Sequence, residues 1–306
     1  MKILVTGCGG MLGSAMYPAL CSFGHEVFAT DRDVNERWLA KLDVRDYAAL
    51  QREVDSFCPD FVYHLAAETD LEWCEQHPKA AADTNERATA WLAGFCADRN
   101  IPLVYISTAG VFDGAKEGPY DERDPPAPIN VYGSTKFAGE EAVRRIHPRH
   151  YVVRAGWMVG GGPKDHKFVA KIVSQLSEGR DKIYAVDDKL GTPTYTRDFA
   201  ANLELLVRRG DYGTYHMVCE GGGSRYDVAR EIVDVLGQSR VAVIPVKSDF
   251  FAEEYFAPRP RSEMMVNRAL REAGLNRMRS WQEALVDYLR SNSLAFGPLM
   301  GARAAA

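Results

Sequence analysis

The chain opens with Met1-Lys2-Ile3-Leu4-Val5-Thr6-Gly7-Cys8-Gly9-Gly10-Met11-Leu12-Gly13. A short apolar run that ends in glycines predicts a buried strand, and the apolar spacing that follows predicts a helix. Glycines permit a tight turn and close backbone approach, while the amide groups at a helix N-terminus face a pyrophosphate. The glycine spacing is G-x-x-G-x-x-G rather than the standard G-x-G-x-x-G. We therefore predict a nucleotide cradle formed by Gly7, Gly10, Met11, Leu12 and Gly13.

A second apolar run, residues 25–30, leads directly to Asp31. An acidic residue at the end of the second strand can accept hydrogen bonds from both ribose hydroxyls of NAD, although a turn or helix N-cap role is the alternative. Arg32 follows and could instead hold the 2′-phosphate of NADP. The sequence leaves the cofactor open between NAD(H) and NADP(H) and favours NAD(H).

Strand-like and helix-like patterns alternate through the first half of the chain. Further strands are predicted near residues 61–65, 103–106 and 151–153, and helices near residues 48–58, 80–98 and 134–146. This alternation predicts an α/β fold, a Rossmann-like doubly wound parallel sheet whose binding crevice lies beyond the carboxyl ends of the strands.

Beyond residue 155 the alternation becomes less regular. We expect an NAD(P)-binding Rossmann domain over residues 1–155, with a strand near 213–218 that rejoins its sheet. Residues 156–295 should form mainly a smaller C-terminal substrate-binding region, and residues 296–306 a frayed tail.

Tyr132 and Lys136 are four residues apart, so a helix would place both on one face. A phenol titrates near pH ~10 and is normally a poor catalyst, but a neighbouring ammonium favours the phenolate and lowers its pKa. Taken alone, the pair also fits an ordinary solvated helix face. A nucleotide cradle upstream in the same chain makes a catalytic interpretation the stronger one.

Composition excludes several classes of function. The formal net charge is −5 and there is no basic block, which argues against a nucleic-acid partner. No apolar stretch approaches the ~18 residues of a membrane span, and we see no signal-peptide pattern. The six cysteines form no C-x-x-C pair, and Glu72, Glu75 and His77 fit a solvated helix. We therefore predict no metal site and a reducing, cytoplasmic location.

Several motifs together resemble the extended short-chain dehydrogenase/reductase superfamily and, within it, the dTDP-4-dehydrorhamnose reductase family. The resemblance runs from residue 1 to about residue 290. The motifs are the glycine turn, Leu65-Ala66-Ala67, Ile106-Ser107-Thr108, Val111-Phe112-Asp113-Gly114, Asn130-Val131-Tyr132-Gly133 with Lys136, Val153-Arg154-Ala155-Gly156-Trp157, Gly191-Thr192-Pro193-Thr194-Tyr195-Thr196-Arg197-Asp198 and Arg259-Pro260-Arg261-Ser262.

This resemblance implies roles for individual residues. The catalytic trio would be Thr108, Tyr132 and Lys136, with Ser107 as a competing candidate for Thr108; Tyr132 and Lys136 would also contact the cofactor. Further cofactor-binding positions would be Asp43, Val44, Ala66, Ala67 and Asn85. Candidate substrate-binding residues are Trp157, Arg259 and Arg261, although Trp157 could equally be a core residue.

The predicted function is NAD(P)H-dependent reduction of a nucleotide-linked 4-keto-6-deoxy sugar, with Tyr132 as the proton donor. An NAD-dependent epimerase or dehydratase and a non-catalytic, nucleotide-binding regulatory subunit are the alternatives, and the oligomeric state is open between monomer and homodimer. The chain departs from the family pattern at Ala109-Gly110, Val159 and Lys167, which leaves the identity of the sugar open.

Overall fold

The computed structural model describes residues 1–292; the predicted tail over 296–306 and the end of the predicted substrate region lie outside them. The strands are β1 (Lys2–Thr6), β2 (Glu26–Asp31), β3 (Ala40–Lys41), β4 (Phe61–His64), β5 (Leu103–Thr108), β6 (His150–Ala155), β7 (Trp157–Val159), β8 (Lys182–Val186), β9 (Leu190–Gly191), β10 (Pro193–Tyr195), β11 (Gly213–Met217), β12 (Gly223–Ser224), β13 (Ala242–Val246) and β14 (Ser262–Glu263). The helices are α1 (Met11–Ser22), α2 (Tyr47–Phe57), α3 (Leu71–Gln76), α4 (Pro78–Ala82), α5 (Ala88–Asp98), α6 (Val131–Ile146), α7 (Phe168–Ser177), α8 (Thr196–Arg209), α9 (Arg225–Val235), α10 (Arg268–Glu272) and α11 (Trp281–Ser291).

The central sheet has seven strands within residues 1–292, in the order β11-β6-β5-β4-β1-β2-β3, and every pairing is parallel. The strand order reverses between β1 and β4, which is the point where a doubly wound sheet binds its ligand. The predicted Rossmann-like α/β fold is confirmed. The last strand of this sheet, β11, comes from the second half of the chain.

Both faces of the sheet are covered by helices, as a parallel sheet requires. Successive side chains of a strand point to opposite faces. Ile3 and Val5 accordingly lie in a core that also contains buried residues of α1 and α8, whereas Leu4 lies in a second core with residues of α2, α5 and α6. No helix within residues 1–292 is long and apolar enough to cross a bilayer.

Two helices differ from their predicted form. The helix predicted near residues 134–146 begins at Val131, because Asn130 Oδ1 accepts a hydrogen bond of 2.7 Å from the Gly133 amide and caps it. The helix predicted near residues 80–98 is interrupted by a π-helical turn at Asp83–Arg87. Such turns are rare and occur frequently at functional sites.

Within the described residues, the second half of the chain adds three small sheets, which pair β7 with β10, β8 with β13, and β9 with β12 and β14. These short strands position Trp157 and Glu263, which line the same cleft as the carboxyl ends of the central strands.

Candidate active site

One cleft runs from the glycine turn at the end of β1 to the segment around Arg259 and has a volume of about 1550 Å³. Pockets for a single small ligand typically measure about 300–1,000 Å³. The cleft is therefore large enough for a dinucleotide together with a second ligand.

The glycines of the turn serve two different purposes. Gly7 has φ +69°, and a Cβ there would lie 2.4 Å from the Ala66 amide nitrogen; a Cβ on Gly13 would lie 2.1 Å from the Cys8 carbonyl oxygen. These two glycines are needed for packing. A Cβ on Gly10 would meet nothing closer than the Gly7 carbonyl oxygen at 3.8 Å. Packing within the protein therefore does not require glycine at position 10, which lines the cleft.

The first turn of α1 is suited to an anionic ligand. No side chain of residues 1–292 caps its N-terminus, and the first turn contains no acidic residue. Unpaired amide groups and the positive end of the helix dipole favour a phosphate at this position. The residues present therefore fit the pyrophosphate of a nicotinamide dinucleotide.

Asp31 and Arg32 lie at the end of β2 and line the cleft. Asp31 Oδ2 accepts a hydrogen bond of 2.8 Å from the Gly9 amide, and Oδ1 accepts one of 3.0 Å from the Asp33 amide. Arg32 donates to Glu68 Oε1 at 2.8 Å. The carboxylate is thus held against the glycine turn and retains further lone pairs, while the arginine is already paired.

Asp43 and Val44 also line the cleft. The Asp43 carboxylate pairs with Arg45, whose hydrogen bond lowers the pKa of Asp43. Val44 is buried. These two residues directly follow β3, which pairs with β2 at one edge of the central sheet.

Ala66 and Ala67 follow β4 and line the cleft, whereas Asn85 is buried behind them. The Asn85 side chain accepts from the Glu68 amide at 2.9 Å and donates to the Glu68 carbonyl at 3.0 Å and to Thr135 Oγ1 at 3.1 Å. Asn85 therefore holds the backbone of this segment against α6. Direct contact of Asn85 with the cofactor stays a prediction.

Thr108 and Tyr132 come together at the carboxyl end of β5. Burial raises the pKa of Tyr132 to about 12, and a hydrogen bond with the Thr108 side chain is the main opposing influence. Thr108 Oγ1 also accepts from the Gly110 amide at 3.1 Å. The neighbouring Ser107 hydroxyl instead donates to Glu140 Oε1 at 2.5 Å. This places Thr108, rather than Ser107, beside the phenol.

Lys136 lies one helical turn after Tyr132 and is only 2% exposed. Its ammonium lies 4.1 Å from the centre of the Tyr105 ring. Burial lowers the pKa of Lys136 to about 7, and the charge of Glu140 acts in the opposite direction. The effect of Lys136 on the Tyr132 pKa stays a prediction, since Thr108 is the stabilising partner that the structure provides.

The substrate candidates occupy different positions. Trp157 lines the cleft and donates from Nε1 to Glu263 Oε2 at 2.8 Å, so it is not a core residue. Arg259 also lines the cleft but pairs with Glu72 at 2.8 Å. Arg261 is exposed and does not line the cleft within the described part of the chain.

Comparison with known proteins identifies the family. Residues 1–293 match the family described as RmlD substrate binding domain. The chain belongs to this family. It is therefore an oxidoreductase of the short-chain dehydrogenase/reductase type, which confirms the predicted family and enzyme class.

Two relatives are similar to this chain over most of their length. The chain is 37% identical to a dTDP-4-keto-6-deoxy-D-glucose reductase from Streptomyces niveus, over 92% of this chain and 94% of the relative. It is 35% identical to a dTDP-4-dehydrorhamnose reductase from Mycolicibacterium smegmatis, over 94% of this chain and 84% of the relative.

Solved structures agree with these relatives. A dTDP-4-dehydrorhamnose reductase from Clostridium acetobutylicum superimposes with a TM-score of 0.87 at 32% identity, covering 96% of this chain and 100% of that one. One from Bacillus anthracis, in complex with NADP, gives a TM-score of 0.85 at 30% identity, covering 95% and 99%.

Four contributors to the site were not predicted from sequence. The Glu263 carboxylate and the Arg225 guanidinium both contact Trp157, and Arg225 lies 3.7 Å from the centre of its ring. Glu75, predicted as a solvated position, accepts from the Val131 amide at 2.8 Å and so holds the start of α6. Glu72, predicted likewise, pairs with Arg259. Sequence offers no signal for these contacts, because they join segments far apart in the chain.

Proposed function

We propose that this protein reduces the 4-keto group of a dTDP-linked 4-keto-6-deoxy sugar with NAD(P)H. The observation that carries the proposal is that Thr108, Tyr132 and Lys136 line the same cleft as the glycine turn. Both curated relatives described above are reductases of dTDP-linked sugars by name, which supports the same substrate class.

In the proposed reaction, Thr108, Tyr132 and Lys136 each have a different role. A bound NAD(P)H supplies the hydride for the carbonyl carbon. Thr108 hydrogen-bonds the carbonyl oxygen and holds it as negative charge develops. Tyr132 has a raised pKa, so it carries its proton at neutral pH and can donate it to that oxygen. Lys136, when protonated, stabilises the phenolate that remains.

The cofactor preference is part of the proposal, and NAD(H) is favoured. The Asp31 carboxylate lies where an adenosine ribose is expected and would repel a 2′-phosphate. Arg32, the residue that could offset this repulsion, pairs with Glu68, so it would have to leave that partner to bind a 2′-phosphate. Comparison of kcat/KM for NADH and NADPH tests the preference, and a higher value for NADPH would contradict it.

One assay tests the proposed function. The protein is mixed with NADH or NADPH and a dTDP-4-keto-6-deoxy sugar, and the loss of reduced nicotinamide is followed. Oxidation stoichiometric with sugar reduction supports the proposal. A changed sugar with no net loss of reduced nicotinamide indicates an epimerase or dehydratase, and binding without turnover indicates a regulatory subunit; either result contradicts it.

A reducing, cytoplasmic setting suits this function. All six cysteines are free, as expected where thiols are kept reduced. A homodimer stays a prediction, and light scattering of the purified protein tests it.

A further inference from the structure

The Glu263 carboxylate is held rigidly at the wall of the cleft. Its strand β14 pairs with β9, and its Oε2 accepts the 2.8 Å hydrogen bond from Trp157. The Trp157 ring packs against the backbone of Gly191, where a Cβ would lie 2.1 Å from the ring, and the Arg225 guanidinium lies over the ring at 3.7 Å. The Gly191 backbone and the stacked cation both restrict the indole.

The second oxygen of this carboxylate faces the catalytic residues. An ideal Cβ built on Gly110 would lie 3.4 Å from Thr108 Oγ1 and 3.6 Å from Glu263 Oε1. The charge of Glu263 also acts on Tyr132, whose pKa it raises. Oε1 is therefore within the span of one sugar ring from the group that holds the reacting carbonyl.

A carboxylate oxygen that is partly removed from water needs a hydrogen-bond donor. Within residues 1–292, Oε1 of Glu263 accepts no hydrogen bond, whereas Oε2 is satisfied by Trp157. Beside its carbonyl, a 4-keto-6-deoxy sugar offers a hydroxyl on carbon 3, while carbon 5 carries the ring oxygen and the methyl group. The 3-hydroxyl is thus the nearest donor that the substrate can present.

We propose that Glu263 determines the specificity of the enzyme by accepting, through Oε1, a hydrogen bond from the sugar 3-hydroxyl. The inference rests on the proposed function, because it takes the carbonyl held by Thr108 as carbon 4. Trp157 and Arg225 act as positioning residues that keep the carboxylate in place.

The test compares two substrates, the dTDP-4-keto-6-deoxy sugar and its 3-deoxy analogue. We expect the unaltered protein to prefer the 3-hydroxy sugar by about 10- to 100-fold in kcat/KM, since a hydrogen bond to a charged group contributes that much. Glu263→Ala should lose this preference by slowing only the 3-hydroxy substrate. The matched control is Glu272→Gln, an exposed glutamate of α10 paired with Arg268, which should keep the preference.

A second variant guards against misfolding of Glu263→Ala. Trp157→Phe keeps an aromatic ring next to Gly191 and Arg225 but removes the Nε1 donor, so it should weaken the preference while leaving the cofactor KM unchanged. Equal losses on both substrates, or an unaltered protein that reduces the 3-deoxy sugar equally well, would overturn the proposal. If the unaltered protein reduces neither sugar, the proposed function fails, and this inference fails with it.

Discussion

The Ser107 hydroxyl donates a hydrogen bond of 2.5 Å to Oε1 of Glu140. Glu140 is fully buried and also pairs with the Arg154 guanidinium at 2.7 Å. Because this hydroxyl is bound to a buried ion pair, it cannot turn to a substrate without giving up a hydrogen bond to a charged group and leaving Arg154 Nε as the remaining donor to that oxygen. Thr108 is the hydroxyl next to Tyr132, so these neighbouring residues should respond differently to mutation.

Thr108→Val should lower kcat by about 100-fold or more, because it removes the donor that stabilises the developing oxyanion. Ser107→Ala should leave kcat within about threefold and cost about 1–3 kcal/mol of stability, because it removes one buried hydrogen bond to the charged Glu140. Steady-state kinetics and urea unfolding of both variants measure these effects. A large kcat loss in Ser107→Ala with normal turnover by Thr108→Val would reverse the assignment.

Tyr132→Phe should reduce turnover by about 100- to 10,000-fold, since it removes the proton donor and little volume. Binding of NADH, followed by fluorescence titration, should change little. Tyr212→Phe is the matched control, because Tyr212 is an exposed tyrosine. Turnover by Tyr132→Phe comparable to the control would exclude Tyr132 as the donor.

Gly10→Ala and Gly13→Ala should separate ligand binding from folding. A Cβ on Gly10 would make only an ordinary contact of 3.8 Å with the Gly7 carbonyl oxygen, so this variant should fold normally. It should raise the KM for the dinucleotide by about tenfold or more, equivalent to about 1.4 kcal/mol. A Cβ on Gly13 would meet the Cys8 carbonyl at 2.1 Å and should destabilise the fold by about 1–3 kcal/mol. Unchanged nucleotide affinity in Gly10→Ala would contradict the predicted cradle.

Lys136 should make stability depend on pH in the cofactor-free protein. Its pKa is lowered from 10.5 to about 7 in the folded state, so the unfolded chain binds more protons between these values and stability rises with pH across that window. Relative to Lys136→Met, the unaltered protein should gain stability from about pH 7 to pH 10, on the order of a few kcal/mol. Urea unfolding of both proteins measures the difference, and a constant difference across the window would contradict a buried, depressed lysine.

Arg259 is expected to bind the substrate diphosphate, although it pairs with Glu72 in the structure. Both side chains are partly exposed, and such a pair contributes little and can open. Arg259→Ala should therefore raise the KM for the nucleotide sugar by about tenfold or more while leaving the KM for NADH unchanged. Glu72→Gln, which frees the guanidinium, should not raise the KM for the sugar; an increase there would indicate that the ion pair itself shapes the site.

Local spacing in the sequence was enough to predict a doubly wound parallel sheet, the glycine turn at its first strand, and the position of Tyr132 and Lys136 on one helix face. These features depend on residues that are close along the chain, where period and turn chemistry determine backbone conformation. The start of α6 at Val131 was missed, because Asn130 caps it through its side chain.

The tertiary structure decided which side chains meet in the cleft. In the folded protein the Ser107 hydroxyl donates a hydrogen bond to Glu140, and Thr108 is the residue beside Tyr132. The tertiary structure also brought Glu263 and Arg225 to Trp157, although these residues come from three separate parts of the chain. Sequence spacing carries no information on such contacts, since they depend on how the small sheets of the second half pack over the ends of the central strands.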